Sequence, residues 1–409
     1  MELYCDYSAT TPILPEALVS MMPYLIDGYG NPSSIYSKGR EAKDVINKAR
    51  EIISNILECE PEEIIFTSGG TESDNLAIKG VAQSKGKDGL YITSKIEHPA
   101  VLECFKELEN DGYEVMYLDV NKYGLVNVNQ IVNLINEKKK INFVSVMYAN
   151  NELGIIQPIE CIGTLLKEYD SNIIFHTDAV QAVGKRKFCL KDSNIDLMSA
   201  SGHKFGAPKG IGFIYIKNNI QLRYQNLGGG QEFKKRSGTE NVASIVAIAK
   251  ALDVHNEMIY HNSISKLQEK ESVLLCSLNG IDGMHLNTVY SCDRINGVIN
   301  IRFDNVSAQS LLLYLDNKNI YISAGSACHS DSDTPSHVLK AIGLSDDEAL
   351  SSVRISFDNT ITDEEIKYLA KCIKDGVEYI RQMWFPSDLT NLCQYVIIYI
   401  DTKYKVISF

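Results

Sequence analysis

Short apolar runs alternate with helical stretches along the chain from about residue 40 to residue 250. The stretch REAKDVINKAREIISNIL repeats its apolar positions with helical spacing, and the run EIIFTSG that follows it is typical of a strand. Further strand candidates are GLYITS, YEVMYLDV, NFVSVMYAN, NIIFHTD, DLMSAS and GIGFIYIK. Because helical stretches separate most of these runs, the pattern predicts an α/β fold with a mainly parallel sheet covered by helices on both faces.

The second part of the chain follows a different pattern. The stretch TENVASIVAIAKALDVHNEMIYHNSISKLQEKESVLLCSL predicts one long helix that links two domains. After it, the strand candidates GVINIRF, IYISAG and SSVRISF alternate with two helical stretches, which predicts a smaller α+β domain. We therefore expect an N-terminal segment 1–15 packed with the small domain, a large domain 16–255, a small domain 256–385 and a tail 386–409.

Composition places the chain among soluble globular proteins, with 44% hydrophobic and 22% charged residues in 409. The formal net charge of −12 argues against general nucleic-acid binding. No apolar run reaches the ~18–20 residues of a membrane span, and the first residues lack a signal-peptide core, so we expect a cytoplasmic protein. The ten cysteines include no C-x-x-C pair, which argues against a disulfide framework or a zinc site. Most of them, such as Cys161 and Cys276, stand in apolar surroundings typical of buried side chains.

Several predicted strands end in polar residues, and ligands bind at the carboxyl ends of the strands in such sheets. Gly70 and Thr71 follow the strand in EIIFTSGGTESDNLAIKG, where the free N–H groups of a helix start favour an anion such as phosphate. A plain βα turn explains this motif equally well. Asp178 ends the strand NIIFHTD, with Gln181 nearby. A buried carboxylate there needs a cationic partner, although a helix N-cap is the alternative.

Lys204 stands among small residues in SASGHKFGAPKG, directly after His203. An amine with a lowered pKa attacks aldehydes and forms a Schiff base. His98, in ITSKIEHPAV, has a ring that can stack on a flat cofactor or move protons, with a structural histidine as the alternative. A phosphate cradle, a carboxylate for a ring nitrogen, a stacking ring and an amine together predict pyridoxal 5′-phosphate.

Two residues of the second part complete the candidate chemistry. Cys328, in YISAGSACHSDSDTPSHVL, stands among small and polar residues that predict an accessible loop, as a reactive thiol requires. Arg354, in SSVRISF, carries a planar guanidinium that suits a substrate carboxylate. On sequence alone, an incidental cysteine and a structural ion pair explain these two residues equally well.

The chain resembles the cysteine desulfurases of the NifS and IscS type, in the class V aminotransferase group of pyridoxal phosphate enzymes. The resemblance extends from residue 6 to about residue 385. It rests on the motifs DYSATTP, GNPSS, FTSGGTESDNLAIKG, ITSKIEH, NNELG, DAVQAVGK, SGHKFGAPKG, RSGTEN and SAGSACHS. It implies the type I fold of pyridoxal phosphate enzymes, with a seven-stranded sheet in the large, cofactor-binding domain and the catalytic cysteine in the small domain.

The resemblance also assigns roles to individual residues. Lys204 would form the Schiff base, Asp178 would hold the pyridine nitrogen, and His98 would stack on the ring and take part in catalysis. The other implied contacts are Asn151 and Gln181 at ring substituents, Gly70, Thr71, Ser201 and His203 at the phosphate, Thr239 at the phosphate of the neighbouring subunit, Arg354 and Asn31 at the substrate carboxylate, and Cys328 at the sulfur.

The implied activity is conversion of L-cysteine to L-alanine, with the sulfur left as a persulfide on Cys328 for iron–sulfur cluster, other thio-cofactor or tRNA synthesis. The resemblance implies a homodimer and a sulfur-acceptor protein such as an iron–sulfur scaffold. It implies no resident metal, apart from iron–sulfur hand-over at Cys328. The last ~20 residues differ from the usual C-terminus, where IscS-type enzymes carry part of their scaffold-binding surface, so the acceptor is left open.

Three alternatives share parts of this pattern. Another class V enzyme, such as an aminotransferase, would use Lys204 and Asp178 without Cys328, and alanine release without a keto acid distinguishes the two. A selenocysteine lyase would perform the same chemistry on selenium. A silent scaffold that only binds sulfur-transfer proteins should lose the lysine or the thiol, and it need not be yellow as a protein carrying the cofactor is.

Overall fold

The structure is a computed structural model and describes residues 2–260, 263–324 and 334–384. In these ranges the α-helices are Pro15–Ile26 (α1), Ser37–Leu57 (α2), Gly70–Lys85 (α3), Pro99–Asn110 (α4), Val128–Asn136 (α5), Ile159–Tyr169 (α6), Val242–Tyr260 (α7), Ser263–Leu278 (α8), Ala308–Asp316 (α9), His337–Ala341 (α10), Asp346–Leu350 (α11) and Asp363–Trp384 (α12). The β-strands are Leu3–Tyr4 (β1), Ile64–Thr67 (β2), Leu90–Ser94 (β3), Glu114–Leu118 (β4), Ile141–Ser145 (β5), Ile174–Asp178 (β6), Leu197–Ser201 (β7), Gly212–Ile216 (β8), Met284–Leu286 (β9), Val298–Phe303 (β10), Ile320–Tyr321 (β11), Ser323–Ala324 (β12) and Ser352–Ser356 (β13).

Seven strands form the central sheet, in the order β2-β8-β7-β6-β5-β3-β4. Strand β8 runs antiparallel to both of its neighbours, and the other pairs are parallel. Strands β3, β5, β6, β7 and β8 are buried along their whole length, which explains their continuous apolar runs. The predicted α/β fold with a mainly parallel sheet is thereby confirmed.

Helices cover both faces of this sheet. Successive strand residues point to opposite faces, so Phe175 packs in the cluster with α1, α2 and α7, while Ile174 packs in the cluster with α3 and α4. Helix α2 shows how its sequence produces this packing. Its buried residues Ala42, Ile46, Ala49, Ile53 and Leu57 recur every three or four positions and form one stripe along the helix.

A second, antiparallel sheet has the order β12-β13-β10-β9 and packs with α8, α9 and α12 around its own apolar cluster. Strand β1 pairs in parallel with β11, next to this sheet. The N-terminal segment therefore reaches the second sheet before the chain enters the first. The domain boundaries expected from the sequence remain a prediction, and the tail 386–409 lies outside the described residues.

Two expectations need correction. The predicted long linking helix consists of two helices, α7 on the side of the central sheet and α8 against α12, because each packs against a different core. Cys161 and Cys276 are exposed, although their sequence neighbours are apolar, because the helical period turns both side chains to the outer faces of α6 and α8. Over the described ranges, no helix is long and apolar enough to cross a membrane.

Candidate active site

A cavity of about 520 Å³ lies at the carboxyl-terminal edge of the central sheet. Its walls come from the segments that follow β2, β3, β5, β6 and β7, with contributions from the N-terminal segment and the small domain. Polar groups from distant parts of the sequence converge there because parallel strands end at the same edge. The predicted site residues that line this active-site cavity are Gly70, Thr71, His98, Asn151, Asp178, Gln181, Ser201, His203, Lys204 and Arg354.

Lys204 lies in a tight turn directly after β7. Its Nζ donates hydrogen bonds to the carbonyl oxygens of Ser8 and Ala9, at 2.7 and 2.8 Å. The turn needs small residues, since a Cβ on Gly202 would come within 2.8 Å of the Cβ of Ala207. The small-residue motif thus lets the chain turn sharply, and the N-terminal segment fixes the position of the amine.

Asp178 is the last residue of β6 and is buried. Its Oδ1 accepts a hydrogen bond of 2.9 Å from the backbone N–H of Val180. Burial raises the pKa of Asp178 to about 6, while the Val180 hydrogen bond and the charge of Lys204 act in the opposite direction. The turn that follows is not an α-helix, so a helix N-cap does not account for this aspartate.

His98 has a structural contact as well as a place in the cavity. It is the N-cap of α4, and its Nδ1 accepts a hydrogen bond of 3.1 Å from the N–H of Ala100. Burial lowers the pKa of His98 to about 4, and the charges of Lys204 and His337 add to this effect. The ring is therefore neutral near pH 7, with its proton on Nε2.

The start of α3 forms one end of the cavity. A Cβ on Gly70, its first residue, would come within 2.7 Å of the Val180 side chain, so only glycine lets the helix start so close to the next loop. Thr71, Ser201 and His203 line the same cavity. The first turn of a helix offers backbone N–H groups without intrahelical partners. With the two hydroxyls and the imidazole, they form a site suited to a phosphate group.

Two amide residues connect the cavity to its surroundings. The Nε2 of Gln181 donates to the carbonyl of Ser8 at 3.0 Å, and its Oε1 accepts from the Nζ of Lys185 at 3.3 Å. The backbone carbonyl of Asn151 accepts a hydrogen bond of 3.0 Å from the guanidinium of Arg354. Both amides therefore have defined neighbours and present polar side chains to the same space.

Arg354 lies in the middle of β13 and is 2% exposed. Its guanidinium forms an ion pair of 2.7 Å with Asp6 of the N-terminal segment. Its Nε is buried and has no hydrogen-bond partner among the described residues. An unsatisfied buried donor costs ~1–3 kcal/mol, so Arg354 combines a structural ion pair with unused hydrogen-bonding capacity.

Two predicted residues do not line this cavity, and a third cannot be placed relative to it. Asn31 is exposed, and its side chain accepts a hydrogen bond of 2.9 Å from the N–H of Ser33. Thr239 borders a separate cavity, together with Arg236. Cys328 lies outside the described residues. In the single chain, ten of the predicted site residues therefore line one cavity, whereas Asn31 and Thr239 do not.

The structure also shows polar residues that the sequence analysis did not single out. Asp74 and Glu152 line the cavity, and Glu97 lies buried behind it. The carboxylate of Glu152 accepts a hydrogen bond of 2.7 Å from Ser336, and burial raises the pKa of Glu152 to about 7. His337 lines the cavity too and contacts the carbonyl of Glu97 through its Nε2, at 2.9 Å.

The arrangement suits a flat, anionic cofactor that reacts with an amine. The glycine start of α3 has space for a phosphate, Asp178 provides a buried carboxylate, and Lys204 provides the amine. In the described part of the chain, no group of three or more His, Cys, Asp and Glu side chains is arranged to bind a metal ion.

Comparisons with known proteins show what the whole chain is similar to. The family described as Aminotransferase class-V matches residues 3–369. The cysteine desulfurase IscS of Clostridium botulinum (strain Hall) is 44% identical over 385 residues, which cover 93% of this chain and 96% of the relative. A solved NifS-like protein has a TM-score of 0.86 at 35% identity and covers 93% of this chain and 100% of its own. A structure of SspA in complex with cysteine has a TM-score of 0.77 at 37% identity, with coverages of 88% and 99%.

Proposed function

The chain belongs to the class-V aminotransferase family, and from that premise we propose that it is a cysteine desulfurase that uses pyridoxal 5′-phosphate. It converts L-cysteine to L-alanine and transfers the sulfur to the thiol of Cys328. The observation that carries this proposal is the convergence of Lys204, Asp178, His98 and the start of α3 in one cavity. The family depends on pyridoxal phosphate in general, and the relatives described above are cysteine desulfurases or resemble them.

Each part of the cavity suits one part of the cofactor. The start of α3, with Thr71, Ser201 and His203, would hold the phosphate, and Asp178 would pair with the ring nitrogen. When bound, pyridoxal phosphate would withdraw electron density from the α-carbon of the substrate. His98 would contact the ring, and its low pKa keeps it neutral. Gln181 and Asn151 would contact polar substituents of the ring.

Lys204 and Arg354 handle the substrate. Lys204 would hold the cofactor through its amine, and its Nζ would take the proton from the substrate α-carbon. Arg354 binds the substrate carboxylate with the donors that its ion pair with Asp6 leaves available. The same ion pair holds the guanidinium in place, which reduces the entropy lost on binding.

The sulfur step needs a nucleophile other than Lys204. The Cys328 thiolate attacks the substrate sulfur, so that an S–S bond forms and the C–S bond breaks. The electron pair of the broken bond remains with the carbon, which then takes up a proton to give alanine. The neighbours of the segment 325–333 support this role, since Ser323 pairs with Arg354 across β12 and β13, and His337 lines the cavity.

We also propose that two copies form the functional unit. Helix α1 exposes Val19, Leu25 and Ile26 to 67%, 60% and 64%. Apolar surface of this kind marks interaction sites, and a second copy would cover it. The position of Thr239 outside the cavity of its own chain is consistent with a role at the partner's phosphate. Sedimentation at assay concentration should give a dimer, and an active monomer would contradict it.

The sulfur acceptor and the cellular location are parts of the same proposal. The persulfide on Cys328 passes its sulfur to an acceptor protein, such as an iron–sulfur scaffold, in the cytoplasm. Hand-over of sulfur requires no resident metal. Affinity capture from the native cell, followed by identification of the protein labelled from the persulfide, tests this part.

The proposed activity is tested by Cys328→Ala with sulfur-labelled cysteine. The variant should still bind the cofactor, because Lys204 and Asp178 are unchanged. It should lose alanine release and should carry no labelled persulfide. Cys161→Ala and Cys276→Ala are the matched controls, since both thiols are exposed on helices away from the cavity, and both variants should keep wild-type turnover.

Comparable desulfuration by Cys328→Ala would contradict the proposal. The enzyme would then be a relative that expels sulfide or selenide without a protein thiol, such as a selenocysteine lyase. Alanine formation that depends on a keto acid would indicate an aminotransferase. The comparisons favour neither alternative.

A further inference from the structure

Three acidic side chains lie together at the active-site cavity, two of them in its wall and one behind it. Asp74 is on α3, Glu97 is between β3 and α4, and Asp178 ends β6; we call them the acid cluster. Their exposed fractions are 1%, 0% and 5%. Electrostatic repulsion acts between every pair of the three. Three buried negative charges at such close range are unfavourable unless cations or protons neutralise them.

Cations do not neutralise Asp74 and Glu97. Neither has a Lys or Arg ion-pair partner in the described part of the chain, whereas Lys204 acts on Asp178. Two other buried acids do have such partners. Glu232 pairs with Arg50 at 2.7 Å, and Glu271 is paired with Arg294. Asp74 and Glu97 differ from these two acids in having no arginine beside them.

Hydrogen bonds satisfy only part of these two side chains. Oε1 of Glu97 accepts from the Ser94 hydroxyl at 2.5 Å and from the N–H of Met147 at 3.0 Å. Oε2 of Glu97 and Oδ1 of Asp74 are buried without a hydrogen-bond partner among the described residues. An ionised carboxylate would leave a charged oxygen bare in each case. A protonated acid has no such charge to stabilise.

His176 does not supply the missing charge. Its Nε2 lies 3.7 Å from Oδ1 of Asp74, which is too long for a hydrogen bond. Its two nitrogens contact the hydroxyls of Ser145, at 2.8 Å, and of Ser199, at 3.0 Å. Burial lowers the pKa of His176 to about 3, so the ring is neutral near pH 7.

We propose that Asp74 and Glu97 are permanently protonated acids near neutral pH, and that their neutrality keeps Asp178 as the ionised member of the acid cluster. They act as positioning residues: they set the charge state of Asp178 without touching the reacting atoms. The link to catalysis rests on the proposed function, in which Asp178 pairs with the ring nitrogen. The protonation of the two acids does not depend on it.

The direction of the pKa shifts agrees with this assignment. Burial raises the pKa of Asp74 well above its usual value and that of Glu97 to about 8, with repulsion from Asp178 adding to both. The pKa of Asp178 is raised less, because a backbone hydrogen bond and the charge of Lys204 favour its charged form. Pairs of acids whose environments separate their pKa values in this way take different protonation states at one pH.

The other titratable groups around the cluster do not change this balance. His98 follows Glu97 in the chain and is neutral for the reasons given above, while His337 contacts the backbone carbonyl of Glu97. Lys204 is the cation whose charge acts on the cluster, through Asp178. Ionising Asp74 or Glu97 would therefore place a second negative charge next to Asp178 and drive a proton onto it.

Infrared difference spectroscopy of the purified protein tests the proposal directly. The C=O stretch of a protonated carboxylic acid is separate from the bands of a carboxylate. Asp74→Asn and Glu97→Gln, measured against the unmutated protein near neutral pH, should each lose one protonated-acid band and no carboxylate band. Loss of a carboxylate band in either variant would overturn the assignment for that residue.

Glu72→Gln is the matched control, because Glu72 lies on the same helix as Asp74 and pairs with Arg236 at 2.8 Å. It should lose a carboxylate band. If an Asp74 or Glu97 variant does not fold, carbon NMR of the unmutated protein with labelled carboxyl groups replaces it. The assigned resonances of Asp74 and Glu97 should remain at the protonated position at neutral pH, and their absence from it would overturn the proposal.

Cofactor binding separates this inference from the proposed function. Asparagine and glutamine imitate neutral acids, so both variants should bind pyridoxal phosphate within roughly threefold of wild type, a difference of under 1 kcal/mol. A large loss of binding in the variants alone would overturn the inference. Failure of the unmutated protein to bind the cofactor would overturn the proposed function and leave the infrared result standing.

Discussion

Two cavities adjoin at Lys204 and Ser8, and each contains a lysine that follows a strand of the central sheet. The active-site cavity has a volume of about 520 Å³ and contains Lys204, after β7. The second cavity measures about 320 Å³ and contains Lys185, after β6. It lies between the N-terminal segment, α7 and the small domain. The two amines share similar positions in the fold, so their surroundings decide which one reacts.

The surroundings differ in charge. Acids border the active-site cavity after several strands, including Asp74, Glu152 and Asp178. In the second cavity Asp358 is the only acid among the described lining residues, whereas Lys185 has several cationic neighbours. Burial, reinforced by Lys204 and Arg354, lowers the pKa of Lys185 to about 7. Several acids and the start of α3 thus line the same cavity as Lys204, whereas Asp358 is the one acid among the described residues that line the second cavity.

The largest expected effect is the loss of Lys204. Lys204→Ala should abolish covalent attachment of the cofactor and lower the turnover of cysteine by roughly 10²–10⁴-fold from lost proton transfer alone. Borohydride reduction of the wild type, followed by peptide mapping, should place the label on Lys204. Label on Lys185 would instead show that the cofactor is attached in the second cavity.

Asp178→Asn removes the acid that most distinguishes the active-site cavity. Loss of one partner of a buried charge pair costs ~3–5 kcal/mol, so pyridoxal phosphate should bind roughly 10²–10³-fold more weakly. Equilibrium titration of the visible absorbance measures this change. Asp358→Asn, in the second cavity, is the control and should bind the cofactor as the wild type does. Equal losses in both variants would mean that the acids do not distinguish the cavities.

Arg354→Ala should weaken the use of cysteine without releasing the cofactor. A charge-assisted hydrogen bond contributes ~1.5–3 kcal/mol, so kcat/KM should fall by roughly ten- to a hundredfold. Arg302→Ala is a suitable control, since Arg302 lies on the neighbouring strand β10 and does not line the cavity. If neither the affinity for cysteine nor the rate changes, the ion pair with Asp6 is the whole role of Arg354.

Sequence patterns predicted most of the central sheet and the residues at its carboxyl-terminal edge. The reason is geometric: residues that directly follow parallel strands must meet, so Gly70, Asp178 and Lys204 could be grouped without knowledge of their distances. The sequence did not reveal that carbonyl groups of Ser8 and Ala9 hold Lys204, because nearly 200 residues separate the partners.

Burial without a partner is likewise invisible in the sequence. Glu97 and Glu152 stand next to His98 and Asn151, which were predicted, yet nothing in the motifs distinguishes a paired acid from an unpaired one. Only the packing shows that Glu97 is fully buried without a cation. Cys161 shows a related limit. Its apolar sequence neighbours predicted a buried thiol, but its position on the helix leaves the side chain exposed.

One titratable group from each cavity should change the stability of the protein with pH, and the two changes should have opposite directions. The pKa of Glu152, in the active-site cavity, is raised by burial from 4.5 to about 7, against the effects of Ser336 and Arg354. The folded state therefore binds the extra proton between these pH values, and this contribution to stability is lost as the pH rises through them. Glutamine at position 152 does not titrate, so Glu152→Gln should avoid this loss of stability, which amounts to up to about 3 kcal/mol in the wild type.

Urea unfolding of wild type and Glu152→Gln at pH values from 4.5 to 7 measures this difference. The free energy of unfolding of the variant, relative to that of the wild type, should increase as the pH rises. Glu168→Gln, on the exposed face of α6, controls for the loss of one acidic side chain. A constant difference between Glu152→Gln and wild type across the range would contradict a raised pKa of Glu152.

Lys185→Met should have the smallest effect on the cofactor, and its effect on stability should have the opposite slope with pH. The pKa of Lys185 is lowered from 10.5 to about 7, so the unfolded chain binds more protons between these values and stability rises with pH. Below pH 7 the full cost of the charge is present, and methionine should stabilise the protein there by up to about 5 kcal/mol, as a shift of this size implies. The advantage should shrink toward pH 10.5, where neither state carries the charge. Lys187→Met, at an exposed neighbour, is the control.

Because Lys204 and Asp178 are unchanged in Lys185→Met, the cofactor should stay attached. Only the orientation of Gln181, which accepts from Lys185 at 3.3 Å, should loosen. Loss of cofactor in Lys185→Met would show that the second cavity belongs to the active site.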